Sequence, residues 1–446
     1  MNFYWGTATA AYQIEGGASE DGRGRSIWDT FSHTPGRTLG GDNGDVACDH
    51  YHRSTEDVAM MAKLGVNAYR FSISWPRVQP GGSGQANAKG LAFYDKLVDD
   101  LLGHGIEPFV TLYHWDLPQE LEDAGGWPVR DTAYRFAEYA AIVRRALADR
   151  VQRFITLNEP WCSAFLGYSD GHHAPGRTNG ADALAAAHHL NLAHALGAQA
   201  LAGKQIGISL NLHVNEGDPE AVRRLDAVGN RIWLDPLFKG EYPSDLLDDT
   251  KGVTDWSFVR DGDLAAGTLS YLGVNYYTSN VLTFGEPKFP SVWPGSEHVH
   301  MVSRGLPTTE MGWEIDPPAL TRLLVRVHEG YGPLPIFITE NGMAAPDLTL
   351  DDTDRIEYLE AHFRAFGAAQ AQGVPVNGYF LWSLMDNFEW SWGYSKRFGI
   401  IHVDYESQAR RPKASAHWYS EIIRRGGLVG GTDDDPAHKV GGQADA

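Results

Sequence analysis

Eight short apolar runs, separated by segments with a helical pattern, constrain the fold of this chain more than any other feature of its sequence. The runs are continuously apolar rather than alternating, as is typical of strands buried on both faces. Between them lie segments with apolar residues every three or four positions, such as 92–105, 133–148 and 183–201. Strands that alternate with helices in this way predict an α/β protein, a single (β/α)8 TIM barrel with extended βα loops. In chain order the runs are 3–12, 66–74, 107–115, 154–160, 205–213, 271–279, 335–342 and 378–384.

The predicted barrel fills residues 1–425 as one domain. The last residues, 426–446, are rich in Gly, Asp and Ala without periodicity and are predicted to form a disordered tail. Residues 280–312 are rich in Gly and Pro and are predicted to form a long loop at the active face of the barrel. One helix is predicted to start with Thr55 as its N-cap and to end at Gly65.

Composition restricts the partners and the compartment. The formal net charge of −20 argues against nucleic acid and anionic membranes as partners, because both require a basic surface. Cys48 and Cys162 cannot form a disulfide framework in 446 residues, so we predict two reduced thiols, with Cys162 buried. The N-terminus lacks a basic segment followed by an apolar one, and no run reaches the roughly 18 apolar residues of a membrane span. We therefore expect a cytoplasmic protein.

Polar and aromatic residues end or follow the predicted strands. In a barrel of this kind, chemistry takes place at the carboxyl ends of the strands, so these side chains are predicted to converge in one pocket. The supply of 14 Trp and 19 Tyr also suits a carbohydrate-binding cleft, since aromatic rings stack on the apolar faces of sugars. The predicted pocket residues are Gln13, Arg70, His114, Asn158, Glu159, Asn211, Asn275, Tyr277, Glu340, Trp382, Glu389 and Trp390.

Two of the runs deliver a glutamate at the same place. "FITLNEP" (154–160) carries Glu159, and "FITENG" (337–342) carries Glu340. Two carboxyl groups that face each other suit glycoside hydrolysis, in which one protonates the leaving oxygen and the other attacks the anomeric carbon or activates a water. Arg70, inside a buried strand, needs an anionic partner, and beside Glu340 it would keep that carboxylate ionised. The charge of Glu340 would in turn favour the protonated form of Glu159.

Three histidines, His188, His189 and His194, raise the alternative of a metal site. Their spacing lacks the HExxH pattern, and their segment has a helical pattern, so packing on the outside of the barrel is favoured. We predict neither a metal nor a cofactor.

The motifs around these residues resemble those of glycoside hydrolase family 1, the β-glucosidase family. "TLNEP" (156–160) and "ITENG" (338–342) match its two signatures. The resemblance extends over nearly the whole chain, since "YRFSISWPR", "YHWDLP", "NEPWCSAFLGY", "GVNYYT" and "LWSLMDNFEWSWGYSKRFG" also match and occur in the right order.

The resemblance implies a retaining mechanism, with Glu159 as general acid/base and Glu340 as nucleophile. Their carboxyl carbons should then lie about 5–5.5 Å apart. It further implies that Arg70 and Tyr277 hydrogen-bond the nucleophile, and that Asn158 binds the sugar 2-hydroxyl. The remaining site residues implied by the resemblance are Gln13, His114, Glu389 and Trp390 as glycone hydroxyl-binding residues, Trp382 as stacking platform and Asn275 as a further active-site residue.

Residues that differ from those of two other groups of the family narrow the expected class of substrate. Relatives that act on 6-phosphorylated sugars typically carry Ser where this chain has Glu389, and Lys and Tyr at positions 396 and 398, of which only Lys396 matches. Thioglucosidase relatives typically carry Gln in place of Glu159. We therefore expect an exo-β-glucosidase for short, unphosphorylated β-glucosides, with some β-galactosidase or β-fucosidase activity, whose aglycone preference depends on 280–312 and on the region around Phe165 and His173. A transglycosylase and a catalytically inactive sugar-binding barrel stay open as alternatives.

Overall fold

A computed structural model describes residues 3–264, 267–346 and 349–428 of the chain. The predicted tail, 426–446, lies outside these ranges except for its first three residues. The strands, in chain order, are β1 (Tyr4–Ala8), β2 (Ala68–Ser72), β3 (Glu107–Tyr113), β4 (Arg153–Asn158), β5 (Gln205–Asn211), β6 (Val214–Gly217), β7 (Leu272–Asn275), β8 (Ser279–Phe284), β9 (Val299–Val302), β10 (Ile336–Asn341), β11 (Val376–Trp382), β12 (Ile401–Asp404) and β13 (Ala409–Pro412).

Eight of these strands close into a parallel barrel in the order β1-β11-β10-β7-β5-β4-β3-β2. They correspond one to one to the eight apolar runs, so the predicted barrel is confirmed. The pairing of β1 with both β2 and β11 closes the barrel, with Ala8 opposite Arg70 on one side and Trp382 on the other. This register brings the ends of strands that are distant in sequence to the same height.

Helices surround the barrel and connect its strands. In chain order they are α1 (Ala11–Ile14), α2 (Ile27–Ser32), α3 (His50–Leu64), α4 (Trp75–Val78), α5 (Ala88–Gly103), α6 (Gln119–Asp123), α7 (Asp131–Leu147), α8 (Gly180–Ala200), α9 (Pro219–Asp226), α10 (Ile232–Lys239), α11 (Ser244–Thr250), α12 (Pro317–Tyr331), α13 (Thr353–Ala371) and α14 (Ala414–Arg425). Short π-helical segments cover Cys162–Leu166 and Ala227–Arg231, and 3₁₀ turns cover Leu39–Gly41 and Trp390–Trp392.

The amino-terminal end of the barrel is filled by aromatic rings. Phe109 packs against Phe380 and Phe337 with centroid distances of 4.7 and 5.4 Å, and Tyr4 contacts Phe109 at 5.3 Å. Gly6 makes room for this plug, since a Cβ there would lie 2.5 Å from the Phe380 ring. Because this end is packed, only the carboxyl end of the barrel can open into a pocket.

Two details of the prediction were wrong. The helix predicted to start at Thr55 is α3, which begins at His50, and Thr55 lies inside it with its hydroxyl bonded to Asp100. Its predicted end is correct, because Gly65 caps α3 in the left-handed conformation. Residues 280–312 are not a loop alone: they contain β9 and most of β8, which form a three-stranded sheet with β6.

The described helices include none that is both long enough and apolar enough to cross a lipid bilayer.

Candidate active site

The carboxyl ends of the barrel strands carry the polar residues predicted from the sequence. Arg70 lies in β2, Asn158 ends β4 and Asn275 ends β7. Glu340 and Trp382 lie near the ends of β10 and β11. Because the strands are parallel, these ends open at the same face of the barrel. The other predicted residues lie at a strand end or in the segment that follows it, namely Gln13, His114, Glu159, Asn211, Tyr277, Glu389 and Trp390.

Glu340 is buried between two hydrogen-bond donors. Arg70 Nη1 donates to its Oε1 at 2.6 Å, and the Tyr277 hydroxyl donates to its Oε2 at 2.8 Å. Both members of the Arg70–Glu340 ion pair are buried. Burial and the negative charges of Glu340 and Glu159 raise the pKa of Tyr277 well above its ordinary value, so its hydroxyl stays a donor. Glu340 is therefore held by one charged donor and one hydroxyl donor.

Asn158 connects this ion pair with the second glutamate. Its Oδ1 accepts from Arg70 Nη2 at 2.6 Å and from Asn275 Nδ2 at 3.0 Å. Asn275 Nδ2 also donates to Oε1 of Glu159 at 2.7 Å, and Thr339 Oγ1 fixes the Asn275 amide by donating to its Oδ1 at 2.6 Å. One hydrogen-bond network therefore joins the two glutamates across β2, β4, β7 and β10.

Glu159 takes its hydrogen bonds from neutral donors. Besides Asn275, the Cys162 thiol donates to its Oε2 at 3.2 Å. Its backbone φ of +43° is unusual for a residue other than glycine, and such strain is concentrated at functional sites. Burial and then the charge of Glu340 raise the pKa of Glu159 to about 8, while the hydrogen bonds from Asn275 and Cys162 act in the opposite direction. The two glutamates thus occupy contrasting environments, because Glu340 has a charged donor and Glu159 has only neutral ones.

A third carboxyl group lies at the same face. Gln13 Nε2 donates to Oε2 of Glu389 at 3.4 Å and to the Phe388 carbonyl at 2.9 Å. Burial, followed by the charges of Glu340 and Glu159, raises the pKa of Glu389 to about 8. A carboxyl group in this position can form hydrogen bonds with sugar hydroxyls.

His114 is buried and neutral beside an aromatic wall. Burial and the charge of Arg70 lower the pKa of His114 well below its ordinary value. Asn158 Nδ2 donates to Nε2 of His114 at 3.0 Å, which places the ring proton on Nδ1. The imidazole stacks on Trp382 and Trp390, with centroid distances of 5.7 and 5.8 Å.

Several buried polar atoms of the predicted pocket residues have no hydrogen-bond partner within the described ranges, among them Oε1 of Gln13 and Nδ1 of His114. Buried polar groups normally have one. Sugar hydroxyls both donate and accept, so they match an orphaned acceptor and an orphaned donor.

A cavity of about 440 Å³ opens beside Glu159. Glu159, Asn211, Asn275, Tyr277, Glu389 and Trp390 line it. Glu340, Arg70, Asn158 and Gln13 are joined to these lining residues by the hydrogen bonds described above. His173 lines the cavity as expected, but Phe165 does not, because it is fully buried against Trp161 and Trp233.

The remaining cavity wall was not predicted residue by residue. Trp161 and Cys162 lie two and three positions after Glu159 in sequence, and this proximity was the signal that could have identified them. Val292, Trp293 and Met301 belong to the segment 280–312, where only the segment as a whole was predicted. Asn280 and Met311 belong to the same segment. Other lining residues that the sequence did not single out are Trp115, Leu166, His172, Leu212, His213, Thr278, Trp313 and Trp392.

The three histidines of α8 serve the packing of that helix. His188 Nε2 bonds Asp263 at 2.9 Å, His189 Nδ1 bonds the Trp127 carbonyl at 3.0 Å, and His194 bonds Thr156 and Thr268. Within 3–264, 267–346 and 349–428, no group of three or more His, Cys, Asp or Glu side chains is arranged to hold a metal ion.

The arrangement of two differently held carboxyl groups at the open end of a barrel agrees with a known family. The model of glycosyl hydrolase family 1 matches residues 1–428. The chain belongs to glycosyl hydrolase family 1. It is therefore a glycoside hydrolase by family.

Curated relatives of this glycosyl hydrolase align with nearly its whole length. A bifunctional β-D-glucosidase/β-D-fucosidase from Bifidobacterium breve is 52% identical over 447 residues, which cover 94% of this chain and 97% of that protein. β-Glucosidase A from Thermotoga maritima is 45% identical over 442 residues, which cover 96% of this chain and 98% of that protein.

Solved structures of family members share its fold. The psychrophilic β-glucosidase BglU from Micrococcus antarcticus superimposes with a TM-score of 0.91 at 47% identity, covering 96% of this chain and 97% of that one. The Thermotoga maritima β-glucosidase in complex with deoxynojirimycin has a TM-score of 0.91 at 44% identity, covering 96% of this chain and 99% of that one.

Proposed function

We propose that this glycosyl hydrolase is an exo-acting, retaining β-glucosidase. It would release terminal non-reducing β-D-glucosyl residues from short oligosaccharides or from aryl and alkyl glucosides. Membership of family 1 supports the retaining double displacement, in which a covalent glycosyl-enzyme forms and is then hydrolysed. The β-glucosidase relatives support the choice of glucose as glycone.

The contrast between the two glutamates is the observation that carries this proposal. Glu340, held by Arg70 and Tyr277, is the nucleophile in the proposal and attacks the anomeric carbon. Glu159, whose pKa is raised by burial and by Glu340, is the general acid that protonates the leaving oxygen. Once Glu340 is esterified its charge is lost, which lowers the pKa of Glu159 and lets it act as the base for the attacking water.

The other site residues receive roles that fit their positions. Asn158, between Arg70 and Asn275, is proposed to contact the sugar 2-hydroxyl. Trp382 is proposed as the platform beneath the glycone. The proposed hydroxyl-binding residues are Gln13, His114, Glu389 and Trp390, and Asn275 is proposed to orient Glu159.

The surroundings of Lys396 favour unphosphorylated substrates. Its Nζ donates to the Glu310 carbonyl at 2.5 Å and lies 5.3 Å from the Trp392 ring centroid. The Glu310 carboxylate is 3.8 Å away. A lysine engaged in this way beside an acidic side chain is a poor phosphate site.

The relative with β-D-fucosidase activity supports some tolerance at C4 and C6 of the glycone. A transglycosylase of the same family is the second candidate, and product analysis at high acceptor concentration would distinguish it. A location in the cytoplasm, where Cys48 and Cys162 would stay free thiols, and a part in cellulose degradation complete the proposal.

The test measures initial rates on 4-nitrophenyl β-D-glucoside and on its 6-phosphate, with the anomeric configuration of the first product followed by NMR. We expect turnover of the plain glucoside with β-configured product, and its loss by at least about 10⁴-fold in Glu340→Gln, the scale of losing a catalytic group. Preference for the phosphate would contradict the role of Glu389. Product of α configuration would contradict the retaining mechanism.

A further inference from the structure

The Cys162 thiol lies against the proposed acid/base although nothing in the double displacement requires a cysteine. It follows β4 at the start of the π-helical segment Cys162–Leu166, and its backbone N–H donates to the Glu159 carbonyl at 2.9 Å. This backbone contact, three residues apart, places the side chain over the Glu159 carboxyl group. The sulfur is 3.2 Å from Oε2 of Glu159.

The two oxygens of Glu159 have different partners. Oε1 accepts from the Asn275 amide at 2.7 Å, so this oxygen serves as an acceptor. Oε2 faces the Cys162 sulfur. The proton of the acid form is therefore best placed on Oε2, the oxygen that the thiol contacts.

The thiol is itself oriented from the neighbouring strand. Asn211, at the end of β5, donates from Nδ2 to the Cys162 sulfur at 3.6 Å. With a sulfur lone pair engaged in this way, the S–H is free to point to Glu159, and the two hydrogen bonds reinforce each other. Asn211 and Cys162 both line the cavity, so this pair of hydrogen bonds lies beside the space available to a substrate.

We propose that Cys162 is a positioning residue for the proton-transfer step. Its S–H holds Oε2 of Glu159 in the orientation from which Glu159 protonates the leaving oxygen and later takes a proton from the attacking water. This inference rests on the proposed function. Asn211 supports the same step by orienting the thiol.

A thiol suits this task because it stays a donor over the whole working pH range. Burial, followed by the charge of Glu159, raises the pKa of Cys162 well above its ordinary value. Its hydrogen bond favours the ionised form of Glu159 and so opposes burial and the charge of Glu340. The charged and titratable groups that interact electrostatically with Glu159 or this thiol are Glu340, Arg70, Tyr277, Glu389 and Asp170.

The experiment compares variants with and without a donor at position 162. Cys162→Ala and Cys162→Val remove the donor, with smaller and larger side chains, and Cys162→Ser keeps one. Cys48→Ala is the matched control, since Cys48 is also fully buried but its thiol contacts the Asp386 carbonyl at 3.1 Å. All are assayed below their melting temperatures on cellobiose and on 2,4-dinitrophenyl β-D-glucoside, whose leaving group needs little protonation.

In the Ala and Val variants we expect the basic limb of kcat/KM to move up by about 0.5 pH unit, because a donor to the charged form is lost. We expect kcat/KM on cellobiose to fall about 3- to 10-fold, because the Glu159 carboxyl group is displaced. We expect kcat/KM on the dinitrophenyl glucoside to change by less than about twofold. Cys162→Ser should restore both values, and Cys48→Ala should behave as wild type.

The inference would be overturned if both the Ala and the Val variant kept the wild-type pH profile of kcat/KM. They would also have to keep the wild-type ratio of kcat/KM on cellobiose to kcat/KM on the dinitrophenyl glucoside. The same changes in Cys48→Ala, or a Ser variant that behaves like Ala, would also overturn the inference, since volume rather than the donor would then be responsible. Failure of the proposed function is distinct, because the wild type would then hydrolyse neither glucoside.

Discussion

Replacing Tyr277 by Phe removes one of the two donors to Glu340 and leaves the other, Arg70, in place. The lost hydrogen bond is 2.8 Å long and joins a hydroxyl to a buried carboxylate. Hydrogen bonds to charged groups contribute about 1.5–3 kcal/mol. In the second step of the reaction Glu340 departs from the sugar and regains its charge, so the missing donor raises the barrier of that step. The expected loss is about 10- to 150-fold in the rate of deglycosylation.

The assay is rapid-mixing kinetics with 2,4-dinitrophenyl β-D-glucoside. Because this substrate glycosylates the enzyme readily, Tyr277→Phe should show a burst of one dinitrophenolate per enzyme, with kcat and KM both lowered as the intermediate accumulates. Tyr276→Phe is the matched control, since the neighbouring hydroxyl donates to the Asp316 carbonyl at 2.6 Å, outside the site. A kcat within about twofold of wild type, or an equal loss in the control, would refute the role assigned to Tyr277.

Three further predictions follow from the same structure. Glu159→Gln should lower kcat/KM on cellobiose by about 10²- to 10⁴-fold and kcat/KM on the dinitrophenyl glucoside far less. It should also abolish the basic limb of the pH profile of kcat/KM, which the raised pKa of about 8 predicts. Equal losses on both substrates would rule out an acid role. Glu389→Gln should lower kcat/KM on the glucoside about 10-fold or more, and kcat/KM on the fucoside, which lacks the 6-hydroxyl, clearly less. Equal losses of kcat/KM on both substrates would show that Glu389 does not contact that hydroxyl. Away from the site, Asp57→Asn breaks a fully buried ion pair with Arg410 and should lower the free energy of unfolding by about 3–5 kcal/mol at pH 7. Burial would raise the pKa of Asp57, but His50 and Arg410 outweigh it and lower that pKa, so the stabilisation is complete above the ordinary pKa near 4 and fades as the pH falls below it. Urea titrations at pH 7 and pH 3 that give the same difference between wild type and variant would contradict this account.

The predicted strands and their terminal residues needed no tertiary information. Continuous apolar runs are a local property, and a closed parallel barrel requires that their carboxyl ends meet, which is enough to bring Glu159 and Glu340 into one pocket. The motif around each glutamate then gave the family. The start of α3 was wrong for a local reason, because Thr55 resembles an N-cap while the helix already begins at His50.

The sequence by itself thus determined the barrel, the two carboxyl groups and several of the polar residues around them, because strand patterns and motif spacing are local properties of the chain. Only the tertiary structure decided which donor each carboxyl group receives. Asn275 reaches Glu159 across 116 positions of sequence, and Arg70 reaches Glu340 across 270. The raised pKa of Glu159 depends on burial, and the contact of the Cys162 thiol with Oε2 of Glu159 depends on a distance of about 3 Å. Neither can be obtained from the sequence pattern. The same holds for the sheet in 280–312, whose partner strand β6 lies far earlier in the chain.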